Sequence, residues 1–202
     1  LPPHPGLESS KSPAHKQAKL VDNARVIETL EAALLHALAS RDDWARDPHD
    51  SAFRAFAGFY EGYAPLVLDL YGRTLLVFDR SETSDGNETM VRDAVRLVRA
   101  RWPWIDAAVW KVRRAADRER RNGVVIFGDA ALLPRKIVEN GVRYAVDLTL
   151  NRDASFYLDT RALRVWAKAE LAGQRVLNAF AYTGSLGVAA RAAPAAEVIQ
   201  LD

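Results

Sequence analysis

Between residues 175 and 201 an apolar run, a glycine-containing turn, a small-residue helix and a second apolar run follow one another within about thirty residues. Two strands joined through a helix run parallel, and parallel strands need cover on both faces, so this segment constrains the fold more than any other. Residues 175–181 are expected as the first strand, 185–193 as the helix and 198–201 as the second strand. Just upstream, residues 159–172 read as a helix with Leu163, Trp166, Ala167 and Leu171 on its apolar positions, Asp159 placed to cap it and Gly173 to end it. The pattern is that of an α/β domain, of which these residues form the opening.

The preceding residues have a different character. Pro2, Pro3, Pro5 and Pro13 among Ser, Lys and His make residues 1–18 a tail. Residues 19–40 are an amphipathic helix, with Leu20, Ala24, Ile27, Leu30, Leu34 and Leu38 recurring at three and four positions. Short β-rich runs follow at 53–59, 65–70 and 74–79, the last two joined by Tyr71-Gly72-Arg73 as in a tight hairpin. A helix is expected over 89–101 with Val91, Val95 and Val98 on one face, and a strand over 107–112. Asn140-Gly141 between 137–139 and 142–148 marks a second hairpin, because Asn-Gly supplies the positive φ of a type I′ turn. The expected organisation is a tail (1–18), a helix and linker (19–50), a small α+β accessory domain (51–150) and the beginning of the α/β domain (151–202).

Composition narrows the function classes. With 202 residues, 49% of them hydrophobic, the chain can bury a core without disulfides or structural metal, and it has no Cys. No apolar run approaches the ~20 residues that a bilayer demands, so no membrane partner is expected and a cytoplasmic setting is. His4, His15, His36 and His49 are scattered without metal-ligand spacing, so no metal is expected either. A net charge of +2 does not by itself imply nucleic acid. The start at Leu1 and the strand-like finish over 198–202 suggest a piece of a longer protein; composition gives no oligomeric state.

The segment that carries chemistry runs Val176-Leu177-Asn178-Ala179-Phe180-Ala181-Tyr182-Thr183-Gly184-Ser185-Leu186-Gly187. A glycine at the carboxyl end of a first strand lets a ligand approach the backbone, and the helix after it offers open N–H groups; the same glycines also suit a tight turn with no ligand. Only Gly184 and Gly187 are present, which disfavours the three-glycine fingerprint of a nicotinamide oxidoreductase. Asp202 ends the second strand, where an acid can accept from both ribose hydroxyls.

Residues 176–184 resemble motif I of class I S-adenosylmethionine-dependent methyltransferases, in the Phe-x-Tyr-Thr-Gly form of the bacterial large-subunit ribosomal RNA cytosine-5 methyltransferases. Residues 139–148 resemble the hairpin entering that domain, Phe156-Tyr157-Leu158-Asp159-Thr160-Arg161 the family's Phe-Phe-Leu-Asp-Gln-Arg segment, and residues 65–72 its small middle domain. Asn178 stands where the family usually has an acid, Arg152-Asp153-Ala154-Ser155 replaces its Gln-Lys-Thr-Gly loop, and residues 1–50 do not resemble its N-terminal RNA-binding domain. The resemblance implies a Rossmann-like fold and S-adenosylmethionine as cofactor. It places Phe156, Arg161, Asn178, Tyr182, Thr183, Gly184 and Asp202 at the cofactor, with Phe156 or Arg161 closing the side opposite Asp202. It also implies an RNA base as acceptor and puts the catalytic thiolate and the acceptor pocket beyond Asp202.

Lys111, Arg113, Arg114, Arg118, Arg120 and Arg121 form a basic run that could grip phosphates, with Arg113, Arg114, Arg118 and Arg121 as candidate RNA contacts; a solvated loop is the plainer reading. Trp102, Trp104 and Trp110 beside it suit core packing before base stacking. The leading expectation is therefore a methyltransferase acting on RNA. Its rival is a non-catalytic RNA- or protein-binding module that keeps a Rossmann-like remnant.

Overall fold

The computed structural model of the chain describes residues 30–46 and 48–202. The tail and the first half of the expected N-terminal helix lie outside the described residues. What is described of that helix, α1 (residues 30–39), turns Leu30, Leu34, Ala37 and Leu38 inward, as the spacing predicts.

Five strands make the main sheet: β1 (Ala52–Phe56), β2 (Leu66–Tyr71), β3 (Thr74–Asp79), β4 (Ala107–Val112) and β5 (Val124–Phe127), hydrogen-bonded in chain order. β2 and β3 pair antiparallel from Leu66 opposite Asp79 to Tyr71 opposite Thr74, so Gly72-Arg73 is a two-residue turn, with Gly72 at φ +56°. β3 and β4 are parallel, joined by α2 (Glu88–Arg101), whose first turn is capped by the Asn87 side chain accepting from Met90 N at 3.0 Å. The short α3 (Arg118–Asn122) leads from β4 into β5. Expected and observed strands differ at their ends. β1 stops at Phe56 because the chain then turns through Gly58 at φ +73°.

Period-two alternation sorts this sheet into two faces. Leu66, Leu68, Leu70, Leu75, Val77, Ala108 and Trp110 join α1 and α2 in one buried cluster. Tyr71, Leu76 and Val109 point the other way and meet Ile137, Tyr144, Val146, Leu148 and Phe156 in a second. That second layer comes from the hairpin of β6 (Lys136–Glu139) and β7 (Val142–Ala145), whose turn residues Asn140 and Gly141 take φ +52° and +76°. Both faces covered, β2 and β4 are buried along their whole length. Trp102 and Trp110 are core residues, and Trp104 stacks on His49 with ring centroids 3.9 Å apart.

After the hairpin come α4 (Arg161–Glu170), β8 (Arg175–Asn178), α5 (Ser185–Ala192) and β9 (Glu197–Gln200). β8 and β9 pair parallel, from Arg175 opposite Glu197 to Asn178 opposite Gln200, so the βαβ reading holds. Two expectations for α4 fail. Asp159 does not cap it: the N-cap is Thr160, whose hydroxyl instead donates to Tyr157 O at 2.9 Å and accepts from Arg164 at 2.6 Å. Nor do Leu163 and Trp166 face the core, being 45% and 52% exposed; the helix buries Arg164 and Ala167 against the hairpin side, because Glu139 of β6 draws the guanidinium inward.

Candidate functional site

The loop from Ala181 to Gly184 leaves the carboxyl end of β8 and enters α5. Tyr182 holds φ +49° and Gly184 φ +84°, a conformation that a residue with a Cβ adopts only at a cost. The Tyr182 amide donates to Asp202 Oδ1 at 2.8 Å, while Ala181 N donates to Leu201 O at 2.9 Å, which ties the loop to the end of β9. Asp202 is exposed, and its second carboxylate oxygen stays open to solvent-side partners. No side chain caps α5, which leaves its first-turn amides without a side-chain acceptor. Gly184 and Gly187 also serve packing: a Cβ on Gly187 would lie 2.4 Å from Gln200 Oε1, and one on Gly184 2.8 Å from Gln200 Nε2. Asn178 Nδ2 donates to the same Gln200 side chain at 3.3 Å.

A second segment, residues 151–157, braces this loop. Thr183 Oγ1 donates to Ser155 O at 2.6 Å and Asn151 Nδ2 to the Tyr182 hydroxyl at 2.7 Å. The Tyr157 ring lies 5.0 Å from that of Tyr182, and the Tyr157 hydroxyl donates to Asp153 at 3.1 Å. Burial and that carboxylate push Tyr157 up to about 12, and burial raises Tyr182, so both are neutral phenols across the working pH range.

Phe156 and Arg161 are placed elsewhere. Phe156 is 2% exposed, its ring tilted against Tyr144 and covered by the Arg164 guanidinium at 4.0 Å, its carbonyl accepting from the Tyr71 hydroxyl at 2.8 Å. Arg161 spreads over Trp44 at 4.6 Å and reaches Glu139 at 3.6 Å. The aromatic ring at the loop is Tyr157, one residue on from the expected Phe156, whose own ring is buried against Tyr144 and Arg164.

The basic run is dispersed by the fold. Lys111 is buried on β4 and donates to the carbonyls of Asn122 (2.5 Å), Asn151 (2.6 Å) and Asp153 (2.8 Å), so it grips backbone rather than phosphate; burial lowers it to about 8. Arg121 is half-buried and donates to the carbonyls of Ala115 (2.8 Å) and Ala116 (2.5 Å). Arg114 pairs with Glu82 at 2.6 Å, and Arg120 donates to Asp85 O at 2.5 Å. Arg118 opens α3 in solvent, and Arg113 lines a cleft of about 490 Å³ between the main sheet and residues 152–159.

That cleft also holds Arg54, Arg80 and Arg152. Arg54 faces Asp69 directly across β1 and β2 and forks onto its carboxylate at 2.8 and 3.2 Å. Burial is the larger influence on Asp69 and raises it, the guanidinium pulling back; the carboxylate in turn raises Arg54. Asp79 accepts the amides of Ser81 (2.9 Å) and Asn87 (2.6 Å) and the Trp110 indole N–H (3.3 Å). Among the described residues there is no group of three His, Asp or Glu set to hold a metal, and no helix long and apolar enough to cross a membrane.

Comparison with known proteins decides the family. The sequence pattern of the S-adenosylmethionine-dependent methyltransferases matches residues 74–202. The chain belongs to that family. A ribosomal RNA large subunit methyltransferase I of Shewanella frigidimarina is 32% identical over 171 residues, covering 82% of this chain and 42% of the relative. The protein of the same name from Erwinia tasmaniensis is 32% identical over 172 residues, covering 83% and 42%. This methyltransferase chain thus spans less than half the length of the curated relatives it matches. In fold it is similar to a candidate SAM-dependent methyltransferase from Streptococcus mutans, with TM-score 0.72 and 24% identity over 87% of this chain and 45% of that one. A candidate methyltransferase crystallised with S-adenosylhomocysteine gives TM-score 0.71 at 24% identity, over 87% and 44%. The mixed α/β architecture expected from the sequence is the one that these neighbours share.

Of the methyltransferase's predicted cofactor residues, the fold brings Asn178, Tyr182, Thr183, Gly184 and Asp202 together at one end of β8 and β9. Sequence reasoning missed Gln200, which fills the space left by both glycines, and Tyr157. Of the arginines that line the cleft it singled out Arg113 and Arg121 and missed Arg54, Arg80 and Arg152, which come from three other segments; only the lone Asp69 inside an otherwise apolar strand hinted at a charged partner.

Proposed function

We propose that this methyltransferase binds S-adenosylmethionine at the Tyr182–Gly184 loop and methylates a base of ribosomal RNA in the cytoplasm. The observation that carries the reading is the Asp202 carboxylate holding the Tyr182 amide with one oxygen and presenting the other beside the uncapped start of α5. An exposed acid at the end of the second parallel strand is placed to accept ribose hydroxyls, and the backbone around Tyr182 and Gly184 to receive the rest of the cofactor. Tyr157, rather than Phe156 or Arg161, closes the near side. The cofactor supplies a methyl group on a sulfonium centre; the chain's residues hold it, and the aromatic pair of Tyr157 and Tyr182 keeps water from it.

The names of the relatives support ribosomal RNA as acceptor. For a cytosine-5 acceptor the attacking thiolate would come from outside these 202 residues, which hold no Cys. Calorimetry of S-adenosylhomocysteine with the intact methyltransferase tests the site. Asp202→Ala removes charge-assisted hydrogen bonds worth about 1.5–3 kcal/mol each, so affinity falls at least roughly tenfold. Unchanged affinity, or tight binding of NAD instead, overturns the assignment.

A further inference from the structure

Arg80 and Arg113 each follow the last residue of a strand, β3 and β4, and those strands are parallel with Asp79 beside Val112. The Arg113 amide donates to Asp79 O at 2.9 Å, so the pairing continues and sets the two arginines next to each other. Like charges abreast on a sheet repel, and the fold provides neither with a carboxylate: Arg80, Arg113 and Arg152 form no ion pair among the described residues. Of the cleft's four acids, Asp69 is engaged by Arg54, Asp79 by two amides and an indole, and Asp153 by Tyr157, and the fourth, Asp159, pairs with none of the three arginines. Burial and the neighbouring Arg54 and Arg113 guanidinia depress Arg80, and the Asp69 carboxylate, already held by Arg54, offsets only part of that.

We propose that Arg80, Arg113 and Arg152 bind a phosphodiester group of the RNA strand that carries the methyl acceptor. The cleft, at about 490 Å³, has room for one nucleotide, and guanidinium forks match phosphate oxygens two at a time. Its wall includes Tyr157 and Asp153, which stand against Tyr182, so a strand anchored there passes the proposed methyl donor. A backbone contact of this kind sets the register of the strand and reads no sequence. The inference rests on the RNA reading above, and it moves the contact away from Arg114 and Arg118 to arginines from separate segments.

The test is a titration of the intact methyltransferase with a labelled single-stranded fragment of ribosomal RNA at several salt concentrations. Arg80→Gln/Arg113→Gln/Arg152→Gln is set beside a charge-matched Arg46→Gln/Arg92→Gln/Arg96→Gln, whose arginines sit in exposed ion pairs outside the cleft. The cleft variant should bind at least about tenfold more weakly and flatten the dependence of log K on log salt by about 2, roughly 0.7 for each arginine that no longer neutralises phosphate. It should keep its affinity for S-adenosylhomocysteine, and the control variant should follow the wild type. If the wild type binds RNA and the cleft variant matches it in affinity and slope, or the control falls as far, the cleft proposal is overturned while the RNA reading stands. If the wild type shows no salt-dependent RNA binding, the RNA reading falls and takes the cleft with it.

Discussion

The five-stranded sheet and the β8–β9 pair differ in how much of their surface these 202 residues cover. Leu66, Leu68, Leu75, Leu76 and Val77 in the first are wholly buried, whereas Leu177 on β8 is 61% exposed and Ile199 on β9 44%. The first region is covered on both faces by α1, α2 and the β6–β7 hairpin, and its buried Asp69 and Lys111 are held by Arg54 and by three carbonyls. The second has α5 on one side, and its loop is held by Ala181 N donating to Leu201 O, Leu201 N to Asn178 O and Tyr182 N to the Asp202 carboxylate. A well-covered sheet resists change, and what it offers a ligand stands at its strand ends, where Arg80 and Arg113 line the cleft. Amides and a carboxylate left open at a strand end cost stability, and they are what a cofactor can use.

Two ion pairs of the same chemistry sharpen this contrast most. Arg164 and Glu139 are 1% and 2% exposed and bonded at 2.6 and 2.9 Å, in the seam between α4 and the hairpin. Arg175 and Glu197, bonded at 2.5 Å across β8 and β9, are 79% and 45% exposed. Arg164→Met leaves the buried Glu139 carboxylate with only Arg161 at 3.6 Å and should cost about 3 kcal/mol in urea unfolding. Arg175→Met should cost under about 1 kcal/mol, because water and salt already screen that pair. Equal losses would mean that the two regions are equally closed.

Glycines break the comparison in a different way. At Gly58, between β1 and β2, a Cβ would lie 2.1 Å from Leu66 O with φ +73°; backbone cannot step aside, and Gly58→Ala should destabilise by ~2 kcal/mol or more. At Gly187 the obstacle is the end of the exposed Gln200 side chain at 2.4 Å, which can swing out. The gain in helix propensity of up to about 1 kcal/mol offsets that movement, so Gly187→Ala should unfold within ~1 kcal/mol of wild type. A large loss at Gly187 would show that Gln200 is held as firmly as backbone.

The features legible in the sequence are those decided locally. Both hairpins follow from turn chemistry at Gly72-Arg73 and Asn140-Gly141, and α2 from its spacing. The loop residues Tyr182, Thr183, Gly184 and Asp202 also come from one contiguous stretch. What stays hidden depends on partners distant in the chain. Leu163 and Trp166 have the spacing of core positions, but Glu139, twenty-five residues before Arg164, turns the helix. Lys111 reads as one member of a basic run, but three carbonyls from two other segments enclose it.

Lys111 is also where the two regions are fastened together, since the Asn151 whose carbonyl accepts from it also holds the Tyr182 hydroxyl. Burial sets its folded pKa at about 8 against 10.5 for the free side chain. Between those values the unfolded chain retains a proton that the folded chain has released, so folding stability rises with pH across that window and is flat below it. Measured against Lys111→Met, so that groups titrating elsewhere cancel, the wild type should gain about 1 kcal/mol between pH 8 and 9 in urea unfolding. The variant, lacking the amine, has no such pH-dependent contribution and leaves three carbonyls unpaired, so its deficit against the wild type should grow across that window. If the difference between the two proteins is constant from pH 7 to 10, Lys111 titrates as an exposed lysine does, and the fastening between sheet and loop is looser than its three short hydrogen bonds imply.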